Sequence, residues 1–170
     1  MTNKDFKVIQ VSVNEWQMLK QIRVDAVNSH PDVFAPSIHP DKLSDEEWKN
    51  RLNNPASASF VIIDEKTKEA VGLTGIYLED GNANSETGHM ISSFMKNSHK
   101  GKGLSKLLYQ ARIDWAKQHH SLKRLVLEQR ETNTAIKCVH QKFGFKFSKA
   151  SECKFADGTK AKTEIYELIL

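Results

Sequence analysis

The residues best placed to do chemistry form one stretch, Ser92-Ser-Phe-Met-Lys-Asn-Ser-His-Lys-Gly-Lys-Gly-Leu-Ser-Lys106. It reads as the end of a strand, a basic glycine-containing loop and the first turn of an amphipathic helix. Gly101 and Gly103 let the backbone turn successive N–H groups toward one point, and a helix N-terminus adds positive potential there. Lys100, Lys102 and Lys106 bring further positive charge to the same concavity. The stretch is expected to bind a compound that carries phosphates.

Which compound depends on the spacing. The pattern G-x-x-x-x-G-K-[ST] of nucleoside triphosphate loops is absent. The dinucleotide pattern G-x-G-x-x-G requires a third glycine, and Lys106 stands at that place. Two common phosphate cradles are thereby disfavoured.

The elements that must hold the loop follow from periodicity. Residues 6–11 alternate weakly and are rich in β-branched side chains, which predicts a first strand. Trp16, Leu19, Ile22, Val24 and Ala26 give a helical stripe to about Val27, with Ser12 and Asn14 as candidate caps. Residues 28–41 contain three prolines and no period, so they form an irregular loop that must pack down Phe34 and Ile38. Ser44 and Glu47 match a capping box, and Trp48 and Leu52 supply the apolar face of the short helix behind it. Strands are expected at residues 59–64, 70–78 and 86–96, with a polar loop at 79–85.

Leu104, Leu107, Leu108, Ala111 and Trp115 form one apolar stripe after the glycine loop, and residues 124–130 form the next strand. Strand, crossover helix and strand in that order predict two parallel neighbours with the loop at their carboxyl end. Asn133 is a candidate cap for a last helix with the stripe Ile136, Val139, His140 and Phe143, which Gly144 stops. Residues 145–154 and 162–170 close the chain as a hairpin through Ala156-Asp-Gly-Thr159. The expected fold class is α/β, one domain over residues 1–170, with a mixed and mostly antiparallel sheet.

Lys100-Gly-Lys-Gly-Leu-Ser105 resembles the [Q/R]-x-x-G-x-[G/A] loop of the GNAT superfamily of acyl-CoA-dependent N-acyltransferases. Asn133-Thr-Ala-Ile-Lys-Cys-Val-His-Gln-Lys-Phe-Gly-Phe145 is similar, in register, to that family's N-x-x-A-x-x-x-Y-x-K-x-G-F segment. The element order is also the family's. The chain departs from the pattern at Asn97, Lys100, Ser105 and Ile136, and His140 stands where the family carries Tyr. Lys100 keeps the charge of the usual residue without a planar fork, and Ser105 is acceptable at a helix start because Ser can cap.

The resemblance implies acetyl-CoA as acyl donor and a fold splayed between strands four and five. It places the pyrophosphate on the amides of residues 101–105, that is Gly101, Lys102, Gly103, Leu104 and Ser105, with Lys100 beside them. It also places Phe94, Met95, Asn133 and His140 against the cofactor, and gives the backbone N–H of Met95 the task of polarising the thioester carbonyl. The family's Tyr protonates the leaving thiolate, so His140 becomes the candidate acid; without the family register, its place on an apolar stripe reads as a core histidine. An amine acceptor with a pKa of about 10 needs a base near neutrality. Glu128 is the favoured candidate, with Glu86, His89 and Glu79 behind it, and its competing role is as partner to a Lys or Arg.

Composition sets the remaining expectations. A net charge of +4 without a basic stripe of interleaved aromatics argues against a nucleic-acid-associated protein. Cys138 and Cys153 make neither a zinc site nor a disulfide framework and read as small interior hydrophobes, so no metal is expected. Neither a signal-peptide core nor a membrane-spanning run is visible, which points by default to a cytoplasmic enzyme or binding protein, with monomer and homodimer both open. A non-catalytic acyl-CoA-binding module is the alternative that the missing Tyr leaves open. Phe34, Tyr77 and Trp48, with the loops at residues 28–42, 79–85 and 156–160, are the expected surroundings of an acceptor.

Overall fold

Alternating and helical stretches sort the chain into a sheet with helices on both of its faces. A computed structural model describes residues 5–34 and 39–170. The strands are β1 (Phe6–Gln10), β2 (Ser57–Asp64), β3 (Ala70–Leu78), β4 (Thr87–Met95), β5 (Arg124–Arg130), β6 (Lys146–Lys154) and β7 (Lys160–Ile169). The helices are α1 (Trp16–Ser29), α2 (Asp45–Leu52), α3 (Ser105–Lys117) and α4 (Thr134–Lys142). The sheet order is β1-β2-β3-β4-β5-β7-β6. Every neighbouring pair is antiparallel except β4 with β5.

Two apolar clusters hold the layers together. Leu104 ahead of α3 and Leu108, Ile113 and Trp115 within it pack with Met90, Leu125, Leu127 and Phe145 on one face. Leu19, Ile22 and Ala26 of α1 pack with Trp48, Val61, Leu73 and Phe94 on the other. Burying each of these larger side chains contributes roughly 1.5–3 kcal/mol. The capping box of α2 forms as expected: Glu47 N–H donates to Ser44 Oγ (3.2 Å), and Ser44 N–H donates to Glu47 Oε2 (2.8 Å). Ahead of α1, Ser12 N–H and Oγ–H both donate to Glu15 Oε2 (2.9 Å each).

Several local expectations are corrected. Val24 is only half-buried, and α1 runs on to Ser29. Asn133 sits at the cap position of α4, but its side chain makes no cap hydrogen bond. Ser105 lies inside α3, behind Leu104 as cap residue. Cys138 is exposed and Cys153 half-buried, so neither is a core residue. Ile38 lies outside the described residues. Among the described residues no helix is long and apolar enough to cross a membrane.

Candidate active site

The parallel pair separates at its carboxyl end. Pairing of β4 with β5 covers Thr87 to Met90 against Arg124 to Leu127 and stops there. The register with β3 also slips: Gly75 faces Ile91, whereas Leu73 faces Phe94. Ser92 takes a left-handed φ of 58°, so β4 carries a bulge opposite Thr74. The extra residue inverts side-chain alternation. Met90 and Ser93 both face α3, whereas Phe94 turns its ring to α1 and meets His30 edge-on at 5.9 Å.

The opening is a cavity of about 730 Å³ in the gap between β4 and β5. From β4 it is walled by residues 89–93, and from β5 by residues 126–130. Phe34 and Tyr77 line it, as the sequence suggested, together with Phe155 of the final hairpin. The hairpin is tied to the α1 side, because Ala156 N–H donates to Phe34 O (2.8 Å). Trp48 is instead buried in the α1–α2 cluster, with Nε1–H donating to Pro40 O (3.3 Å).

The glycine loop lies at the N-terminus of α3. Gly101 and Gly103 have φ of 77° and 74°, and a Cβ at either would meet nothing within 4 Å. Among the described residues the amides of Gly101, Lys102, Gly103, Leu104 and Ser105 have no acceptor, whereas Lys100 and Lys106 bond to Asn97 O and Gly103 O. A run of free donors bent around two glycines fits a pyrophosphate. Lys102 and Lys106 are exposed, and Lys100 Nζ donates to His30 Nε2 (3.1 Å). Met95 needs its backbone. Lys96 N–H donates to Val71 O on β3, so alternation directs the N–H of Met95 the other way, into the gap.

The base candidates separate. Glu128 lines the cavity and accepts from Thr163 Oγ1 at 2.5 Å. Among the described residues it forms no ion pair, so its competing role as a Lys or Arg partner is not seen. Its charge reaches two neighbours. Burial, then Glu79 and Glu128, raise the Tyr77 hydroxyl, and burial, then Glu128, raise the Cys153 thiol, which keeps that thiol protonated. His89 lines the cavity too, stacked on Tyr77 at 5.0 Å with Nε2 3.3 Å from Glu79 Oε1. Glu86 is spent on Lys123 and does not line the cavity.

His140 is 2% exposed, and both ring nitrogens are engaged. Its Nδ1 accepts from Tyr109 Oη (2.6 Å), and its Nε2–H donates to Gln129 Oε1 (2.8 Å). Burial, with Arg112 adding, holds its pKa down to about 4. Burial therefore keeps the imidazole neutral at neutral pH, in place of the imidazolium expected from its type.

Sequence reasoning missed the partners of this network. Arg112 of α3 is 1% exposed and lies 4.6 Å from the Tyr109 ring centroid. It occupies the place four residues after Leu108 on the apolar stripe. The only signal was a charged residue in that stripe.

The model of the acetyltransferase (GNAT) family matches residues 20–145. The chain belongs to the GNAT acetyltransferase family. Among solved structures, the chain is similar to an acetyltransferase of the GNAT family from Streptococcus pneumoniae, at 18% identity and TM-score 0.80, covering 97% of this chain and 99% of that one. It is also similar to a variant of a spermidine N-acetyltransferase from Vibrio cholerae, at 15% identity and TM-score 0.75, covering 98% and 95%. A ribosomal L7/L12 alpha-N-protein acetyltransferase in complex with coenzyme A matches at 15% identity and TM-score 0.71, covering 98% and 94%. No curated protein matches the chain in sequence.

Proposed function

We propose that the protein transfers an acetyl group from acetyl-CoA to a primary amine by direct attack in a ternary complex. The observation that carries this reading is the run of five free amides at residues 101–105, on the loop that leaves the carboxyl end of β4, the strand that parts from β5 after Met90. The loop holds the pyrophosphate and the gap admits the pantetheine arm. The Met95 N–H points to the thioester oxygen. One such preorganised donor contributes a few kcal/mol where negative charge develops.

Glu128 takes the proton from the ammonium form of the acceptor, directly or through one water. The amine nitrogen then bonds to the carbonyl carbon, the C–S bond breaks, and CoA leaves as thiolate. A thiol titrates near about 8.5, so the thiolate takes up a proton readily, and a neutral His140 is no obstacle. Lys137, through Glu164, ties α4 to β7, and His140, through Gln129, ties it to β5. The spermidine and ribosomal-protein enzymes act on different amines.

The test is thioester turnover with acetyl-CoA against a panel of amines, alongside calorimetric titration with CoA. Amine-dependent release of CoA with an acetylated product is expected. Tight CoA binding with no transfer to any amine would instead support an acyl-CoA-binding module.

A further inference from the structure

The polar chain behind the β4 bulge has one donor left over. Thr74 is fully buried and its hydroxyl donates to Ile91 O (3.1 Å). The Ser93 hydroxyl is therefore left to donate to Thr74 Oγ1 (3.2 Å). Arg112 Nη1 donates to Ser93 Oγ (3.1 Å), and Arg112 Nε donates to Leu108 O (3.2 Å). Arg112 Nη2 remains, buried and with no partner in the protein. Among the described residues Arg112 forms no salt bridge, whereas Arg130, on the same cavity, pairs with Asp157.

A buried guanidinium with no carboxylate partner is costly to keep charged. Burial lowers the Arg112 pKa only to about 10, so the charge persists at neutral pH. The cavity's carboxylates do not relieve it. Glu128 alternates with Leu127 and Gln129, which face α3 and α4, so it projects to the opposite face of the sheet. Arg112 lines the cavity, and phosphate groups are accounted for at the glycine loop. A single free arm of a guanidinium suits one carboxylate oxygen.

We propose that Arg112 receives a carboxylate carried by one of the two substrates, an inference that rests on the acetyltransferase reading above. Two carriers have this chemistry. The acceptor can be an amino acid, or the acyl group can itself end in a carboxylate.

The experiment compares kcat/KM in two arms. With acetyl-CoA, each free amino acid is set against its carboxamide; with one neutral amine, succinyl-CoA is set against acetyl-CoA. At least about a tenfold preference for the carboxylate is expected in one arm, since hydrogen bonds to charged groups are worth roughly 1.5–3 kcal/mol. The arm that shows it identifies the carrier. Arg112→Met should bring that ratio close to one, whereas Ser93→Ala, which leaves Nη2 in place, should keep it. Ratios near one in both arms, or a preference surviving in folded Arg112→Met, would overturn the proposal. A uniform loss on acids and amides alike would overturn it too, because it would mean Arg112 only props up the bulge. Should Arg112→Met fail to fold, Arg112→Lys and the wild-type ratios decide. Transfer to neutral amines without discrimination sinks the carboxylate alone. Absence of both transfer and CoA binding sinks the acetyltransferase reading as well.

Discussion

The Tyr109 hydroxyl lies 2.6 Å from His140 Nδ1, and that contact fixes the tautomer of a neutral imidazole. The other nitrogen, 2.8 Å from Gln129 Oε1, must then carry the hydrogen. Tyr109 is itself held by burial at a pKa of about 12, so it remains a donor at any working pH. Arg112 stacks against the same ring and adds a positive charge near the imidazole. A proton on His140 would therefore need desolvated space, a reoriented tyrosine and proximity to a cation.

The first prediction follows from the sign of that effect. His140 titrates near 4 when folded and near 6.5 when unfolded, so the unfolded chain binds the extra proton between those values. Its neutral form stabilises the fold fully above about pH 6.5, and this contribution is lost as pH falls toward about 4. Denaturant midpoints between pH 7 and 5 should drop by the equivalent of about 1–2 kcal/mol in the wild type. The drop should shrink in His140→Phe, whatever its absolute stability. An equal drop in both proteins would show that other groups carry the acid sensitivity.

Glu128 gives the second prediction. Glu128→Gln keeps the hydrogen bond to Thr163 feasible while removing the base. We expect kcat to fall roughly 10²-fold at pH 7, within the usual range for a lost general base. CoA affinity should be unchanged. The gap should narrow as pH rises toward about 10, where the amine deprotonates without help. A deficit that stays constant with pH would assign Glu128 a structural role and move attention to His89 and Glu79.

The order of elements was legible because both periodicities are clean. The stripe from Leu104 to Trp115 and the cap at Ser44 lie in the described fold as read. The glycine loop was equally legible, since a left-handed φ at residues 101 and 103 is what glycine supplies. The bulge was not. Ser92 is a left-handed residue without glycine's signature, and only the long-range register of β3 with β4 demands it. Arg112 was hidden for a related reason: Ser93 meets it only once α3 packs under β4, and the Tyr109 ring one turn away on the same helix gives no sequence signal of burial. The contact of Gln129 with His140, from β5 to α4, has no local pattern either.

The third prediction separates backbone strain from ligand contact. Gly103 and Gly158 have φ of 74° and 85°, and a Cβ at either meets nothing within 4 Å. Replacing either by Ala should cost a similar roughly 1 kcal/mol of stability, from the left-handed backbone alone. Only Gly103→Ala should also weaken CoA binding, by about tenfold or more, since its methyl would stand in the concavity of free amides. Calorimetric titration with CoA decides the point. Equal CoA affinity in the two variants would remove the loop from the cofactor site.

The fourth prediction concerns the bulge as a device for aiming Met95. Thr74 ties Ile91 O before the bulge to Ser93 Oγ after it, so one buried hydroxyl spans the distortion. Thr74→Val keeps the shape but removes both bonds, leaving a buried carbonyl short of a donor. The expected cost is about 1–3 kcal/mol. The slack should reach the N–H of Met95, two residues beyond Ser93, and lower kcat more than it raises the KM for acetyl-CoA. Thr74→Ser restores the hydroxyl and should recover kcat even where stability stays below wild type, because a packed methyl is still missing. Stopped-flow acetyl transfer in the three proteins, alongside urea denaturation, separates the two effects. Recovery of stability without kcat would mean that the bulge is a packing feature, with no part in positioning the donor.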